Sequence, residues 1–511
     1  MDRAPSGNYR GLTLATGVRS SARRTPDKIA LVQGEAAVTY RQLVERINRA
    51  GNAGIGDLGL RPGDNVAIVA DNRLEYLEVV VGLSGIGCAV ATLNPRQTPG
   101  ELKFIFEDCA ARAVFVAPNY ADAVRASGAA CVERVIEFGD DYETWLSKAR
   151  PDHPGYEPAE WDNFTICYTS GTTGKPKGVV LPHRSRTLIA LAEATEYGCY
   201  SRDDSFLAFA PMFHGAGFSF AFTSVFLGGT CEVVGGFNPE HILARLHEGR
   251  HTGVFMVPTH FQGLFGLERA VLDRYRAHNL KAIVCNAAPL PEATKHQVLD
   301  YFGDGLLHET YGSTETGIVT NLRPADMRRK QNCVGQLFPL YRAALLDDDG
   351  EPVAPGDVGE LYATSPMLFN GYWNKPEETA AGFRDGMFSA GDMGRQDEDG
   401  YFYIVDRKKD MLITGGVNVY PREIEDVLRQ LPAISDACVV GKPDDYWGEA
   451  VVAFVVSDDA ALSEGQVIEH CKRHLGGFKM PKEIRFIDKV PRNPTGKMLK
   501  RELRDRLVQD G

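Results

Sequence analysis

Apolar runs alternate with helical patterns through the first part of the chain. The runs that predict strands lie at residues 66–70 (VAIVA), 113–117 (AVFVA), 164–169, 205–210, 254–257 and 282–285. Residues 74–84 and 239–248 repeat their apolar positions with the period of a helix. Strands separated by helices are typical of parallel βαβ layers, so we predict an α/β fold.

The pattern changes twice after residue 330. Gly and Asp turns first separate short strand-like runs at 343–346, 359–363 and 401–405, which predicts a β-rich subdomain. From residue 409, helices are predicted at 421–430, 464–475 and 499–507, and strands at 437–440, 450–456 and 484–487. We therefore predict a large N-terminal domain over residues 1–408 and a small α+β domain over residues 409–511.

Composition places the chain among ordinary globular proteins. Of its 511 residues, 43% are hydrophobic and 24% are charged, which excludes a disordered or fibrous protein. The 10 cysteines stand singly, without zinc-ligand spacing, and are typical of buried thiols in a reducing compartment. The N-terminus lacks the apolar core of a secretory signal, so we expect a cytoplasmic protein.

Charge narrows the choice of partners. A formal net charge of −12 argues against a nucleic-acid binder. The segment 472–508 nevertheless carries 12 Lys and Arg against 4 Asp and Glu, a balance of +8. A solvated helical face and a surface that meets a polyanion both fit this tail.

Residues 206–231 form the longest stretch without a charged side chain. The stretch is long enough to span a bilayer, but proline, glycine, serine and threonine interrupt it. We therefore predict a buried helix beside an apolar pocket, with no integral membrane contact, and leave peripheral contact open.

Residues 168–178, YTSGTTGKPKG, are the clearest candidate for chemistry. Three glycines let backbone N–H groups turn toward an anion, hydroxyls add donors, and Lys175 and Lys177 add positive charge. No register fits a Walker A loop. We predict a phosphate-binding loop after a strand.

This loop is similar to the phosphate loop of the adenylate-forming superfamily, which includes acyl-CoA synthetases, peptide-synthetase adenylation domains and luciferases. Further motifs resemble that superfamily in the same order: APMFHGAG at 210–217, NAAPL at 286–290, YGSTE at 311–315, SAGD at 389–392, DRKKD at 406–410 and PTGK at 494–497. The resemblance covers nearly the whole chain. It departs at Ser389-Ala390, where relatives carry Arg-Thr or a similar pair.

The resemblance implies a nucleotide site. Its residues would be Thr169, Ser170, Gly171, Thr172, Thr173, Gly174, Lys175, Ala287, Ala288, Pro289, Tyr311, Gly312, Ser313, Thr314, Asp392 and Arg407. Asp392 would accept the two ribose hydroxyls, since one carboxylate can take both hydrogen bonds. ATP is thus the expected nucleotide.

The resemblance to the adenylate-forming superfamily also implies two half-reactions. A carboxylate attacks the α-phosphorus of ATP, and Lys497 supplies positive charge as the acyl-adenylate forms. Glu315, with Thr169, would hold Mg²⁺ through oxygen ligands. His214 would gate the carboxylate site.

A thiol then displaces AMP after the small domain rotates about Lys409. Gly415 and Gly416 would let a pantetheine arm approach, and Trp447 and Lys479 would contact CoA. The chain has no carrier domain, which favours free CoA. A ligase that loads a separate carrier protein remains an alternative.

The expected acyl pocket includes His214, Gly217, Phe218 and Phe261. No Arg or Lys stands there for a second carboxylate, which favours a monocarboxylate with an apolar tail or ring. Fatty and aryl acids both fit, and so does a homodimer. A non-catalytic nucleotide-binding scaffold is the other alternative, but it predicts loss of Glu315, Asp392, Arg407 or Lys497.

Overall fold

The computed structural model describes residues 11–169, 176–414, 417–444, 446–492, 496 and 498–509. Their strands are β1 Ile29–Gln33, β2 Ala36–Thr39, β3 Asn65–Val69, β4 Ala89–Leu93, β5 Ala111–Val116, β6 Arg134–Glu137, β7 Asn163–Thr169, β8 Lys177–Pro182, β9 Ser205–Ala208, β10 Thr230–Val233, β11 Gly253–Met256, β12 Ala282–Cys285, β13 Leu307–Ser313, β14 Gly317–Leu322, β15 Gln336–Leu337, β16 Arg342–Leu346, β17 Gly359–Thr364, β18 Gly371–Tyr372, β19 Phe383–Arg384, β20 Met387–Phe388, β21 Asp392–Gln396, β22 Phe402–Arg407, β23 Leu412–Thr414, β24 Val417–Val419, β25 Asp436–Asp444, β26 Gly448–Val456 and β27 Glu483–Phe486. Their α-helices are α1 Leu14–Arg24, α2 Tyr40–Gly56, α3 Leu74–Ser84, α4 Pro99–Cys109, α5 Ala121–Ser127, α6 Asp140–Ser147, α7 His183–Tyr197, α8 Gly215–Leu227, α9 Pro239–His247, α10 Pro258–Phe265, α11 Arg269–Arg274, α12 Glu292–Phe302, α13 Pro376–Ala381, α14 Pro421–Leu428, α15 Glu464–His474 and α16 Lys500–Gln509.

Two large sheets form the body of the molecule. One has the strand order β18-β8-β7-β4-β3-β5-β6, and the other has the order β15-β14-β13-β12-β11-β9-β10-β1-β2. Strands β3 and β4 are buried along their whole length, as expected for parallel strands covered on both faces. The predicted α/β class is therefore confirmed.

The second large sheet positions the candidate site. Its strands β9, β11, β12 and β13 run parallel, so their carboxyl ends meet at one edge. Loops at that edge are where open α/β sheets bind ligands. The segments that follow these strands carry His214, Val257, Ala287 and Glu315.

A smaller sheet of β16, β17, β19, β20, β21 and β22 forms the predicted β-rich subdomain. A 3₁₀ turn at Lys408–Asp410 then leads into the C-terminal sheet, whose order is β24-β23-β26-β25 with β27 beside β26. We expected three strands there, but the described residues form five. The expectation missed β23 and β24 because each has only three residues.

The charge-free stretch contains α8, a helix of 13 residues whose middle is buried. Within the described residues, no helix is both long and apolar enough to cross a membrane. The predicted buried helix is thus present, and its first turn lies at the candidate site.

Candidate functional site

Several predicted site residues lie outside the described part of the chain. They are Ser170, Gly171, Thr172, Thr173, Gly174 and Lys175 of the phosphate loop, Gly415 and Gly416, and Lys497. The two ends of the loop are described: Thr169 pairs with Lys177 across the antiparallel strands β7 and β8. This hairpin brings both ends of the predicted loop to one point.

Asp392 is the centre of a hydrogen-bonded triad. The Tyr311 hydroxyl donates to Asp392 Oδ2 at 2.6 Å, and Arg407 Nε lies 2.8 Å from Asp392 Oδ1. Burial and the Asp392 charge raise the pKa of Tyr311 well above its ordinary value, so its hydroxyl stays a donor. Two carboxylate oxygens have about four acceptor positions, so the triad leaves capacity for two ribose hydroxyls.

The unusual pair before Asp392 has a structural role. Ser389 Oγ donates to Glu360 Oε1 at 2.7 Å and accepts from Gly391 N–H at 2.9 Å. Gly391 has φ +79°, a conformation that favours glycine. The serine thus stabilises the turn that leads into Asp392.

Glu315 has a partner that the sequence did not reveal. The Tyr372 hydroxyl donates to Glu315 Oε1 at 2.8 Å, and burial followed by the Glu315 charge raises the pKa of Tyr372 well above its ordinary value. Lys177 forms an ion pair with Glu378, and its ammonium lies 5.1 Å from the Tyr372 ring centroid. Tyr372 lies 57 positions from Glu315, and no local pattern links the two.

The donors present fit Mg²⁺. The described residues contain no group of three or more His, Cys, Asp or Glu side chains that could hold a metal ion. Mg²⁺ commonly takes one or two carboxylates and completes its shell with substrate phosphates and water. Glu315, with one oxygen oriented by Tyr372 and the other outside that bond, has this character, and Thr169 ends β7.

The segment predicted beside adenine contains a strained residue. Ala287 has φ +77°, which is rare for a residue with a Cβ, and its N–H contacts Asn286 Oδ1. Ala288 is half-buried and Pro289 is exposed. Such strain is frequent at ligand-binding sites.

The YGSTE segment is equally constrained. A Cβ on Gly312 would lie 1.8 Å from the Gly317 carbonyl oxygen, so only glycine fits. Ser313 and Thr316 exchange hydrogen bonds, including Ser313 N–H to Thr316 Oγ1 at 3.1 Å. This closes the turn in which Thr314 and Glu315 lie.

A small, uncharged cavity of about 20 Å³ borders the nucleotide segments. Its lining consists of Ala210, Pro211, His214, Gly217, Phe255, Val257, His260 and Ala287. His214 caps the N-terminus of α8, where its Nδ1 accepts from Ala216 N–H at 3.4 Å. The cavity therefore contacts both the predicted gate and the predicted adenine segment.

Two residues expected in the acyl pocket lie elsewhere. Phe218 is buried and stacks on Phe222, with centroids 5.5 Å apart. Phe261 is fully buried in the core around β11 and β12. Both helices are apolar on several faces, so sequence could not tell which face meets the cavity. Phe255 and His260 line the cavity instead.

Asn72 supports the cavity wall at Pro211, a role that the sequence did not predict. This buried side chain donates to the Ala210 carbonyl at 2.9 Å and accepts from Met212 N–H at 2.7 Å. It therefore fixes both ends of Pro211, which lines the cavity. A single Asn after a strand carries no sequence signal for such a role.

The loop that contains Lys497 lies against α10 through its neighbour Gly496. A Cβ on Gly496 would approach Thr259 Cγ2 to 3.0 Å. Arg492 donates to the Gly496 carbonyl at 2.7 Å and to Asp436 Oδ2 at 2.8 Å. The described flanks of the PTGK motif thus connect the C-terminal sheet to the cavity helix.

The other C-terminal predictions lie on the surface of the small domain. Lys409 is exposed in the 3₁₀ turn between β22 and β23. Lys482 Nζ lies 4.2 Å from the Trp447 ring centroid. Lys479 contacts both carboxylate oxygens of Glu423 at 2.6 Å, so its charge is already paired in this state.

Comparisons with known proteins agree with this geometry. Residues 18–373 match the family described as AMP-binding enzyme, and residues 423–497 match the AMP-binding enzyme C-terminal domain. The chain is 35% identical over 494 residues to a feruloyl-CoA synthase of Amycolatopsis sp, covering 95% of this chain and 97% of the relative. It is also 35% identical over 478 residues to the long-chain-fatty-acid–CoA ligase FadD13 of Mycobacterium tuberculosis, with coverages of 92% and 93%.

Two solved structures of one relative differ in their similarity to this chain. The crystal structure of ATP-bound MatB from Rhodopseudomonas palustris matches at TM-score 0.90 with 31% identity, covering 97% of this chain and 99% of that chain. The apo form of MatB matches at TM-score 0.80, with the same identity and coverages. The whole-chain arrangement is therefore nearer to the ATP-bound form.

Proposed function

The chain belongs to the AMP-binding enzyme family and is an ATP-dependent, AMP-forming acid–CoA ligase; we propose that its acid is a monocarboxylate with an apolar tail or ring and that Mg²⁺ accompanies ATP. The observation that supports this choice of acid is the cavity beside Ala287, whose described lining has no charged side chain. Such a wall offers no countercharge to a second carboxylate or an ammonium group.

In the first half-reaction, an oxygen of the substrate carboxylate attacks the α-phosphorus of ATP, and pyrophosphate leaves. Asp392, held by Tyr311 and Arg407, would position the ribose. Glu315 and Thr169 would hold Mg²⁺, which neutralises phosphate charge when bound. We assign Lys497 to the charge that develops between carboxylate and α-phosphate.

In the second half-reaction, the CoA thiolate attacks the acyl carbonyl and AMP leaves. We propose that rotation about Lys409 brings Gly415, Gly416 and Trp447 to the pantetheine arm. Lys479 can meet CoA phosphates only after it leaves Glu423, whereas Lys482 is exposed beside Trp447. A carrier-protein thiol is the second candidate acceptor, and a cytoplasmic homodimer remains a prediction.

The decisive experiment is Mg²⁺-dependent AMP release over a panel of acids, with and without CoA. We expect AMP and an acyl-CoA product only with acid, ATP and CoA together. Lys497→Ala should lower adenylation by at least about 100-fold, the usual cost of one transition-state donor. The variant should still convert supplied acyl-adenylate and CoA.

Lys489→Ala is the matched control, since Lys489 is an exposed lysine of the same basic tail. It should retain wild-type rates in both half-reactions. Acyl-adenylate that CoA does not consume would point to a carrier protein. Bound ATP without turnover of any acid would overturn the ligase function.

A further inference from the structure

His260 lines the cavity together with His214. It lies in the first turn of α10, and the Val257 N–H donates to its Nδ1 at 3.2 Å. A neutral imidazole has one donor and one acceptor nitrogen. Because Nδ1 accepts from the backbone, the proton of the neutral ring lies on Nε2.

Aromatic neighbours hold this ring in place. The His260 centroid lies 5.0 Å from that of Phe209 and 4.5 Å from that of Phe237. Gly263, one turn along α10, makes room for this arrangement, since a Cβ there would lie 2.8 Å from the Phe237 ring. Burial lowers the pKa of His260 to about 4, so the ring is neutral near pH 7.

The Nε2–H group has no hydrogen-bond partner among the described residues, whereas Nδ1 has one. An apolar ligand that fills the cavity would remove water from this donor and leave it unpaired, which costs free energy. The lining near it offers phenyl and aliphatic surface from Phe255 and Val257. A ligand that fills the cavity therefore binds best when it brings an acceptor.

We infer that His260 is a specificity residue, and that its Nε2–H donates a hydrogen bond to an uncharged oxygen (hydroxyl, ether or carbonyl) on the apolar part of the acid. This inference rests on the proposed ligase function. The imidazole is neutral, so it selects an acceptor without requiring a second charge. It narrows the substrate from any apolar monocarboxylate to an oxygen-bearing one.

The free space in the cavity is small. Phe255 stacks on Phe220 with centroids 4.5 Å apart, which closes one wall. The space is about 20 Å³, enough for about one water molecule. A single oxygen atom of the acid therefore matches it in size, and a larger group would have to displace the lining side chains.

The test uses ring-bearing acids of one carbon skeleton that carry hydroxyl, methoxy or methyl at the same ring position. Wild type should prefer the oxygen-bearing acids by about 10-fold in kcat/KM, the typical worth of one hydrogen bond. His260→Leu should remove that preference by slowing the oxygen-bearing acids while leaving the methyl acid unchanged. His260→Gln, which keeps an N–H donor, should restore part of it.

His278→Leu is the matched control. His278 is also half-buried, its pKa is also lowered by burial, and its Nε2 contacts the Phe302 carbonyl at 3.1 Å, away from the cavity lining. The control should keep the wild-type preference even if its unfolding midpoint falls.

The outcomes separate the inference from the ligase function. If wild type forms acyl-CoA but His260→Leu slows all acids equally, or raises only the KM for CoA, the specificity role is overturned. If wild type converts no acid, the ligase function fails and this inference falls with it.

Discussion

The two sides of the candidate site are built by different means. On the nucleotide side, charged and phenolic groups from distant segments pair: Tyr311 and Arg407 with Asp392, and Tyr372 with Glu315. On the acyl side, backbone contacts and ring stacking set the shape of the cavity, and His260 is a polar side chain in its wall.

On the proposed function, the nucleotide side would bind ATP, which every acid shares, and the acyl side would bind the part in which one acid differs from another. All acids use the same ATP, so the nucleotide side can commit its carboxylates to fixed partners. The cavity lining has no charged side chain, and on the proposed function it would discriminate among acids through the His260 donor. Changes on the first side should therefore act on all acids alike, and changes on the second should depend on the acid.

The largest effect is expected from Asp392→Asn. The amide cannot match the charge of Arg407, and truncating a buried charged pair costs about 2 kcal/mol or more, so kcat/KM for ATP should fall at least about 30-fold. The factor should be the same with every acid. Asp349→Asn, in an exposed turn after β16, should be neutral. A loss that varies among acids would contradict the division between the two sides.

A smaller and acid-dependent effect is expected from Gly217→Ala. The added Cβ would lie 2.1 Å from the Pro211 carbonyl oxygen, so the cavity wall must move. Overpacking of this kind costs about 1–3 kcal/mol, and we expect kcat/KM to fall about 10-fold, more for bulkier acids. The KM for ATP should stay unchanged.

Gly215→Ala is the comparison for that variant. Its Cβ would meet Cys167 and Thr314 at 3.9 Å, an ordinary contact, so the helix start should accept alanine. Equal losses in the two alanine variants would show that helix packing, not the cavity wall, is responsible.

Tyr372→Phe tests whether the hydrogen bond between Tyr372 and Glu315 acts on the nucleotide side. Removing one hydrogen bond to a carboxylate should cost about 1 kcal/mol, or about 5-fold in the KM for Mg–ATP, with unchanged preference among acids. Tyr362→Phe, in the neighbouring β17, is the control. In a Glu315→Ala background, which removes the acceptor, the Tyr372→Phe change should have little further effect, because both act through the same contact.

The smallest effect is expected from pH. Burial disfavours the charged form of His260 and lowers its pKa to about 4, whereas an exposed histidine titrates near 6.5. The ring thus gains its second proton only as pH falls toward about 4. The preference for oxygen-bearing acids should be flat between about pH 6 and 8. A change of this preference near pH 6.5 would show that the ring is not shielded.

Periodicity predicted the local elements well. The helix at 74–84 and the strand at 282–285 occur with those bounds in α3 and β12. These segments are apolar, and their periods are set by local geometry, which sequence carries directly. The short strands β23 and β24 were missed because three residues show no period.

Contacts between distant segments were harder to predict. Asp392 and Glu315 were named through motifs, but Tyr372 and Asn72 were not, because their roles arise only when separate strands come together. Phe218 and Phe261 were expected at the pocket and lie in the core, since an apolar helix does not reveal its orientation. The phosphate loop and Lys497 remain predictions, as they lie outside the described residues.

Helix α10 has a consequence for the timing of the reaction. A Cβ on Gly496, the neighbour of Lys497, would approach Thr259 to 3.0 Å, and the next residue, His260, lines the cavity. On the proposed function, an acid that fits poorly against His260 would disturb the turn of α10 that faces Gly496. Adjacent residues of one turn would then link recognition of the acid to the cleavage of ATP. An acid that does not fit would leave before a phosphoanhydride bond is broken.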